Sequence, residues 1–387
     1  MNMARLFVFN PENDLALACG EPNFTPPAMA RKIKRDLQLI QIWLCEDGYI
    51  YAPDNMVNTR FIEYVKSHFT DNVKNIGLYD GNADIDIFSP WGWSRAVVSD
   101  LRKVFPLATD VDIEGIRTLS HRMTSIFICE CLKAELMEAK SIQIPVICKD
   151  EKAVIDAVSM FGECMIKAPW SGSGKGVFRV DKGNFRIYYN WIRGVIQKQG
   201  AVICEKYLNK VQDFALEFYS DGKNVKYIGP STFVNNSRYS YEKAMVASPD
   251  ILERHLRKFI SDDYFDRLKN VLIAVLKGLV PEIYTGYFGI DMLAYNESGE
   301  LKIMPCVELN LRMTMGLIAN RLGAHILECG KIGEMSVLWH KDIRSLKSYV
   351  EKLEKPVIEN GRLKSGSMLL TPVYQDSNYT ALLTVMD

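Results

Sequence analysis

One stretch, Cys164-Met165-Ile166-Lys167-Ala168-Pro169-Trp170-Ser171-Gly172-Ser173-Gly174-Lys175-Gly176-Val177, constrains the fold more than any other. A short apolar run ends on a lysine, a glycine-serine turn carries a second lysine, and Val177-Phe178-Arg179-Val180 resumes apolar alternation. Two such runs around a glycine-rich turn predict a hairpin of two strands. Glycines let a backbone approach a bulky anion and aim several N–H groups at it, and lysine adds point charge. Lys167 favours an anion-binding hairpin over a plain surface turn. It ends a buried-looking strand, and an ammonium buried without an anionic partner is costly.

A Walker A loop does not fit. The pattern G-x-x-x-x-G-K-[ST] needs a leading glycine and a hydroxyl after the lysine. Around Gly174-Lys175 those places hold Pro169 and Gly176, and a strand rather than a helix follows. Composition excludes other classes. Forty-seven basic residues balance forty-seven acidic ones, so no global field recruits nucleic acid or an anionic membrane. No apolar run reaches membrane-spanning length, and Leu6-Phe7-Val8-Phe9 is too short for a signal segment and reads as a first strand. Nine scattered cysteines, such as Cys129, Cys131, Cys148 and Cys204, show no metal-ligand spacing and read as buried thiols of a reducing cytoplasm. Five histidines lie apart, which argues against a histidine-bound transition metal.

The chain of 387 residues is long enough for two or three lobes. Up to about position 110, strands (Arg5–Phe9, 49–52, 85–88) alternate with helical stretches (Ala28–Leu44, Phe61–His68, Ser94–Val104), which predicts an open, mainly parallel α/β lobe. Thr118 to Lys140 reads as one long helix capped by Thr118 or Ser120. Past the glycine hairpin come a helix over Arg186–Lys198, strands over 201–206, 214–219 and 225–228, and a polar, tyrosine-rich stretch, Ser231–Pro249, that reads as a long lid-like loop. A helix (Tyr264–Leu279) leads into a hairpin over Tyr287–Leu311 turning at Asn296-Glu297-Ser298-Gly299. The tail, 331–387, offers a helix and a pair of strands.

That last hairpin carries a candidate metal site. In a strand alternate residues share a face, so Glu308, Asn310 and Arg312 point one way while Val307, Leu309 and Leu311 face a core. Hard oxygen ligands suit Mg2+, and an arginine can clamp phosphate. Asp291 supplies a further carboxylate from the partner strand. Asp291 and Glu308 are 17 residues apart, too far for simple symmetric folding about the turn; Pro305, which cannot donate to a ladder, is placed to mark a register-restoring bulge.

From about Thr118 to Gly330 these motifs resemble the ATP-grasp ligases, such as D-alanine–D-alanine ligase and biotin carboxylase. The resemblance implies an ATP-grasp fold, α/β with α+β catalytic lobes, behind an N-terminal open α/β domain. It divides the chain into 1–115, a small lobe with the glycine-rich flap over 116–203, and a large lobe with the metal site over 204–387. It assigns Arg122, Lys167, Ser173, Gly174, Lys175, Glu205, Lys206, Leu208 and Asp213 to ATP. Lys206 and Leu208 would act through their backbone at the adenine edge, and Asp213 near the ribose. It gives Asp291, Glu308 and Asn310 to Mg2+, with Mn2+ as an alternative, and Arg312 and Lys243 to the transferred phosphate. The implied reaction phosphorylates a small-molecule carboxylate and transfers the acyl group to an amine, in a cytoplasmic protein for which a homodimer is allowed. A phosphotransferase, a peptide- or protein-modifying ligase and a non-catalytic ATP-binding protein are the alternatives. For the substrate the sequence offers two features, Asn10-Pro11-Glu12-Asn13-Asp14 after the first strand and Pro90-Trp91-Gly92-Trp93-Ser94-Arg95. Turn formation and core packing are the favoured readings of them.

Overall fold

The computed structural model describes residues 4–386 apart from positions 45–46, 54, 70–72, 74, 106–110, 173, 175 and 238. The N-terminal sheet runs Asn75–Leu78, Asp47–Ile50, Arg5–Val8, Ile87–Pro90 in spatial order, every pair parallel. This is the expected open α/β arrangement. The helix expected over Ala28–Leu44 stops at Asp36, and Ile40–Leu44 forms a separate helical turn. All five residues of that turn are buried, which leaves it no polar face to continue an amphipathic helix.

The single helix expected from Thr118 to Lys140 is two, Ile113–Leu119 and Met123–Glu135. Neither Thr118 nor Ser120 is an N-cap, and Ser120 instead closes the C-terminus of the first helix. Asp112 caps the first helix through the Gly115 amide (2.8 Å), and the second starts beside Arg122, whose own N–H donates to Pro169 O at 3.2 Å. The break draws the chain toward the glycine loop.

A four-stranded antiparallel sheet follows, in the order Val146–Cys148, Val202–Lys206, Glu163–Lys167, Val177–Asp181. Helices Glu151–Phe161 and Phe185–Gln199 pack on it through Val154, Val158, Ile192 and Val195. The free cysteines here, Cys148, Cys164 and Cys204, are buried as expected, whereas Cys19 and Cys329 are exposed.

The largest sheet has eight strands in the order Glu300–Asn310, Gly286–Glu297, Asn209–Ser220, Val225–Asn235, Tyr241–Val246, Ile332–Trp339, Tyr379–Met386, Ser367–Leu369. Phe214, Leu216, Phe218, Ile290 and Met292 share one core with residues of helices Met123–Glu135 and Asp262–Leu279. Helix Met315–Arg321 packs on the opposite face, against the three middle strands. The stretch Ser231–Pro249 is therefore not a long loop. Most of it is strand, with a short turn at Asn236–Ser240 where Tyr239 takes φ +60°. Its apolar alternation is hidden because the buried positions include Ser231 and Thr232. The tail holds five strands and one helix rather than a strand pair; Ile332–Trp339 and Tyr379–Met386 extend the large sheet.

The hairpin that carries Asp291 and Glu308 folds with the expected irregularity. Glu297 faces Glu300 and Leu293 faces Met304; beyond that point Asp291 faces Glu308 and Gly289 faces Asn310. Met292 alone spans Pro305, Cys306 and Val307. Pro305 breaks the ladder, and the bulge brings the two carboxylates opposite one another. Among the described residues no helix is long and apolar enough to cross a membrane.

Candidate active site

The glycine loop closes as a hairpin. Lys167 faces Val177, and Ala168 N–H donates to Gly176 O at 2.9 Å. Gly174 and Gly176 take φ +72° and +87°, a region that costs other residues strain. Ser173 and Lys175 lie outside the described residues. Lys167 is buried and ion-pairs with Glu205, which stands two residues along the neighbouring strand on the same face. The anionic partner that the sequence required is thus a carboxylate of the protein itself.

Asp213 belongs to the same group. It accepts from Lys210 Nζ (2.5 Å) and Asn235 Nδ2 (3.2 Å). Burial pushes its carboxyl up, while Lys210, Asn235 and the nearby charge of Lys167 pull it down. The Lys206 side chain turns elsewhere, to Glu297 at 2.7 Å, and Leu208 packs half-buried against the core. Lys243 is not brought to this group. Phe233 faces both Asp213 and Ala244, so the pleat sends Lys243 to the other face, where it pairs with Glu334 at 2.7 Å.

A second group forms on the large sheet. Asp291 faces Ala215, which sits between Asp213 and Glu217, so all three acids share one face. Burial, and then the charge of Glu308, push the Asp291 carboxyl up to about 7, and Asn310 donates to it. Arg122 reaches in from the start of helix Met123–Glu135. Its Nη1 meets Glu308 Oε2 at 2.8 Å, Nε donates to Ala168 O at 3.0 Å, and Nη2 to Ser171 Oγ at 3.1 Å. One buried guanidinium therefore ties the glycine loop to the strand that carries Glu308. Arg312 Nη2 donates to Asn310 Oδ1 at 3.0 Å, and its Nε to Asp14 at 2.9 and 3.1 Å. Among the described residues no three His, Cys, Asp or Glu side chains form a ready metal cluster. The donor set is two carboxylates and an amide. Two like charges held together, one with a raised carboxyl, are hard oxygen donors that a divalent cation would satisfy.

Glu217 is the acid that sequence reading passed over. Its oxygens accept from Ser231 Oγ (3.0 Å) and Thr314 Oγ1 (2.9 Å), and Thr314 caps helix Met315–Arg321. Gly316 leaves room for it, since a Cβ there would lie 2.3 Å from Glu217 Oε1. The available signal was a charge inside the apolar run Phe214-Ala215-Leu216-Glu217-Phe218. Burial, with the charge of Asp291 adding to it, pushes the Glu217 carboxyl up to about 8 from an ordinary 4.5. The native state then keeps a proton that the unfolded chain releases, so this contribution to stability is whole below about pH 4.5 and is lost as the pH rises through about 8. Glu217→Gln keeps a neutral hydrogen-bonding group and should flatten the fall in stability across that window, by up to about 1.4 kcal/mol per pH unit. Urea unfolding at intervals between about pH 5 and 8 reads this. An unchanged slope in the variant would assign the pH dependence to other groups.

The two features that the sequence offered for the substrate differ in outcome. Trp91 and Trp93 are core residues, Trp91 packing edge-on against Phe9 at 5.2 Å, and Arg95 pairs with Glu114. The Asn10–Asp14 stretch instead reaches the site. Asn13 and Asp14 line a narrow, shallow crevice with Trp170, Ser171, Glu308, Asn310 and Arg312.

No protein-family model matches the sequence, and no curated protein matches it. Solved structures do match over nearly the whole chain. A biotin carboxylase–beta-gamma-ATP complex from Campylobacter jejuni superposes with a TM-score of 0.57 at 12% identity, covering 99% of this chain and 87% of that one. N5-carboxyaminoimidazole synthetase from Staphylococcus aureus, complexed with ADP, gives 0.52 at 12% identity over 99% and 93%. N5-carboxyaminoimidazole ribonucleotide synthetase from Thermus thermophilus gives 0.50 at 10% identity over 100% and 94%. At such identities the likeness concerns the fold.

Proposed function

We propose that this chain, which has the ATP-grasp fold, is an ATP-dependent carboxylate–amine ligase that works through an acyl phosphate with Mg2+. The observation that carries this reading is the convergence of two charged groups. Lys167 and Glu205 lie on the small sheet below the glycine loop, and Asp291, Glu308, Asn310 and Arg312 lie on the large one. Arg122 joins them. The structural neighbours complexed with ADP and with beta-gamma-ATP support a nucleotide in this cleft.

In this reading Lys167 contacts phosphate, the backbone of Lys206 and Leu208 meets the adenine edge, and Asp213 lies near the ribose. The oxygens of Asp291, Glu308 and Asn310 would hold Mg2+, which supplies charge neutralisation at the phosphates when bound. Arg312 stabilises charge on the transferred phosphoryl group, and the chain positions a carboxylate in line with it. No covalent protein nucleophile is needed. In this reading the Asn236–Ser240 turn and the glycine loop would exclude water from the acyl phosphate.

Incubation with ATP, Mg2+ and pooled amino acids and small carboxylic acids, following ADP, phosphate and AMP, tests the reaction. Substrate-dependent ADP plus phosphate is the expected result. ADP with a phosphorylated end product would replace the ligase with a phosphotransferase, and AMP formation would overturn the acyl-phosphate route. The nucleotide site has its own test. Lys167→Met removes a charged contact of about 1.5–3 kcal/mol, so binding of a non-hydrolysable ATP analogue should weaken about 10- to 100-fold in calorimetry. Unaltered affinity would remove Lys167 from the phosphates.

A further inference from the structure

Asp14 has no part in the roles above, yet three regions of the chain meet on its carboxylate. It lies on the N-terminal lobe, just after the first strand. Both its oxygens accept from Arg312 Nε on the catalytic strand, at 2.9 and 3.1 Å. The glycine loop presses on it from the small lobe: a Cβ at Gly172 would stand 2.5 Å from Asp14 Oδ2. The remaining nitrogens of Arg312 are also occupied, Nη2 by Asn310 Oδ1 (3.0 Å) and Nη1 by Met313 O at 3.3 Å. The guanidinium is thus held by the N-terminal lobe and by its own strand. Both Asp14 and Arg312 line the shallow crevice beside Glu308. Their side chains keep 21% and 20% of their surface exposed, so a ligand arriving there can reach either one.

We propose that Asp14 is the counter-ion that holds Arg312 in the nucleotide-free protein, and that the terminal phosphate of a bound nucleoside triphosphate takes Arg312 from it. The proposal rests on the ATP reading above. An arginine fork fits a carboxylate or a phosphate equally well, and a terminal phosphate carries more charge than one carboxylate. Asp14 therefore acts as a competitor whose strength sets how tightly the third phosphate is held. A diphosphate, lacking that group, does not engage the competition. The glycine loop's contact with Asp14 adds a consequence: an obstruction at Gly172 pushes the carboxylate away from Arg312 and acts like its removal.

A purely structural brace predicts the opposite sign, because loosening Arg312 would weaken triphosphate binding. Calorimetric titration of the full chain with Mg2+ and the β,γ-imido analogue of ATP, and separately with ADP, distinguishes the two. Asp14→Asn should tighten the analogue about five- to tenfold and leave ADP within about twofold. Gly172→Ala should move the analogue in the same direction, and Asp14→Asn should have no effect in an Arg312→Gln background. Weakened or unchanged analogue binding in Asp14→Asn, or an equal gain for ADP, overturns the proposal. If wild-type protein binds both nucleotides and only their ratio stays unmoved, the counter-ion role alone falls. If it binds neither, the ATP reading falls and takes this one with it.

Discussion

Replacing Glu308 by Gln is expected to lower magnesium-dependent ADP formation by at least about 10²-fold while the protein stays folded. That loss is at the upper end of what removing an outer-shell metal partner costs, and in the proposed site Glu308 would touch the metal itself. Gln is nearly the same shape and keeps an oxygen for Arg122 Nη1, which now meets Glu308 Oε2 at 2.8 Å. What disappears is the charge. Glu308 is the second cause, after burial, that raises Asp291, so the variant should also let the Asp291 carboxyl fall back toward its ordinary range. Glu308→Ala is the informative contrast. It strands a buried guanidinium, and removing one member of a buried pair costs about 3–5 kcal/mol. The expected pattern is lost turnover with little change in unfolding for Gln, and lost turnover with a clear loss of stability for Ala. Full ADP formation by Glu308→Gln would remove Glu308 from the metal.

Why the strand Glu300–Asn310 was legible and other parts were not comes down to which side chains carry the periodic signal. Val307, Leu309 and Leu311 alternate with Glu308, Asn310 and Arg312, so the strand and its two faces could be read from spacing. Pro305 even announced the bulge. The hairpin over Ser231–Pro249 resisted the same reading because Ser231 and Thr232 occupy buried positions, and a polar core face erases the alternation. Glu217 was overlooked for a related reason. A lone acid in an apolar strand is informative only once its partners are known, and Ser231 and Thr314 stand 14 and 97 residues away. Interlobe contacts are further out of reach. Asp14 and Arg312 are separated by 298 residues, and neither segment's pattern hints at the other. The break at Ser120–Arg122 belongs to this class too, since a backbone contact with Pro169 interrupts a stretch that reads as continuous helix.

The largest effect on stability is expected from one methyl group far from the charges. Gly323 lies in the turn Leu322–Ile326 that continues helix Met315–Arg321. A Cβ there would fall 1.9 Å from Ala247 O, 2.5 Å from its C and 2.8 Å from its N. Those are backbone atoms, so no rotamer change relieves the overlap. Nor can Ala247 withdraw easily: Val246 is paired with Gly333 in the sheet, and Ser248 begins the next helix. Gly323→Ala should therefore cost about 3 kcal/mol or more, at or beyond the usual range for overpacking. The same helix carries Thr314 at its cap, and Thr314 holds Glu217, so the strain is transmitted to the acidic group. Gly194, inside helix Phe185–Gln199, provides the opposite case. Nothing lies within 4 Å of its Cβ direction, so Ala there meets open space and gains helix propensity, about 0.8–1 kcal/mol in favour of folding. Unfolding midpoints of the two variants should thus move in opposite directions from wild type. Equal stability of Gly323→Ala and wild type would mean that the helix and the strand behind it can part without cost.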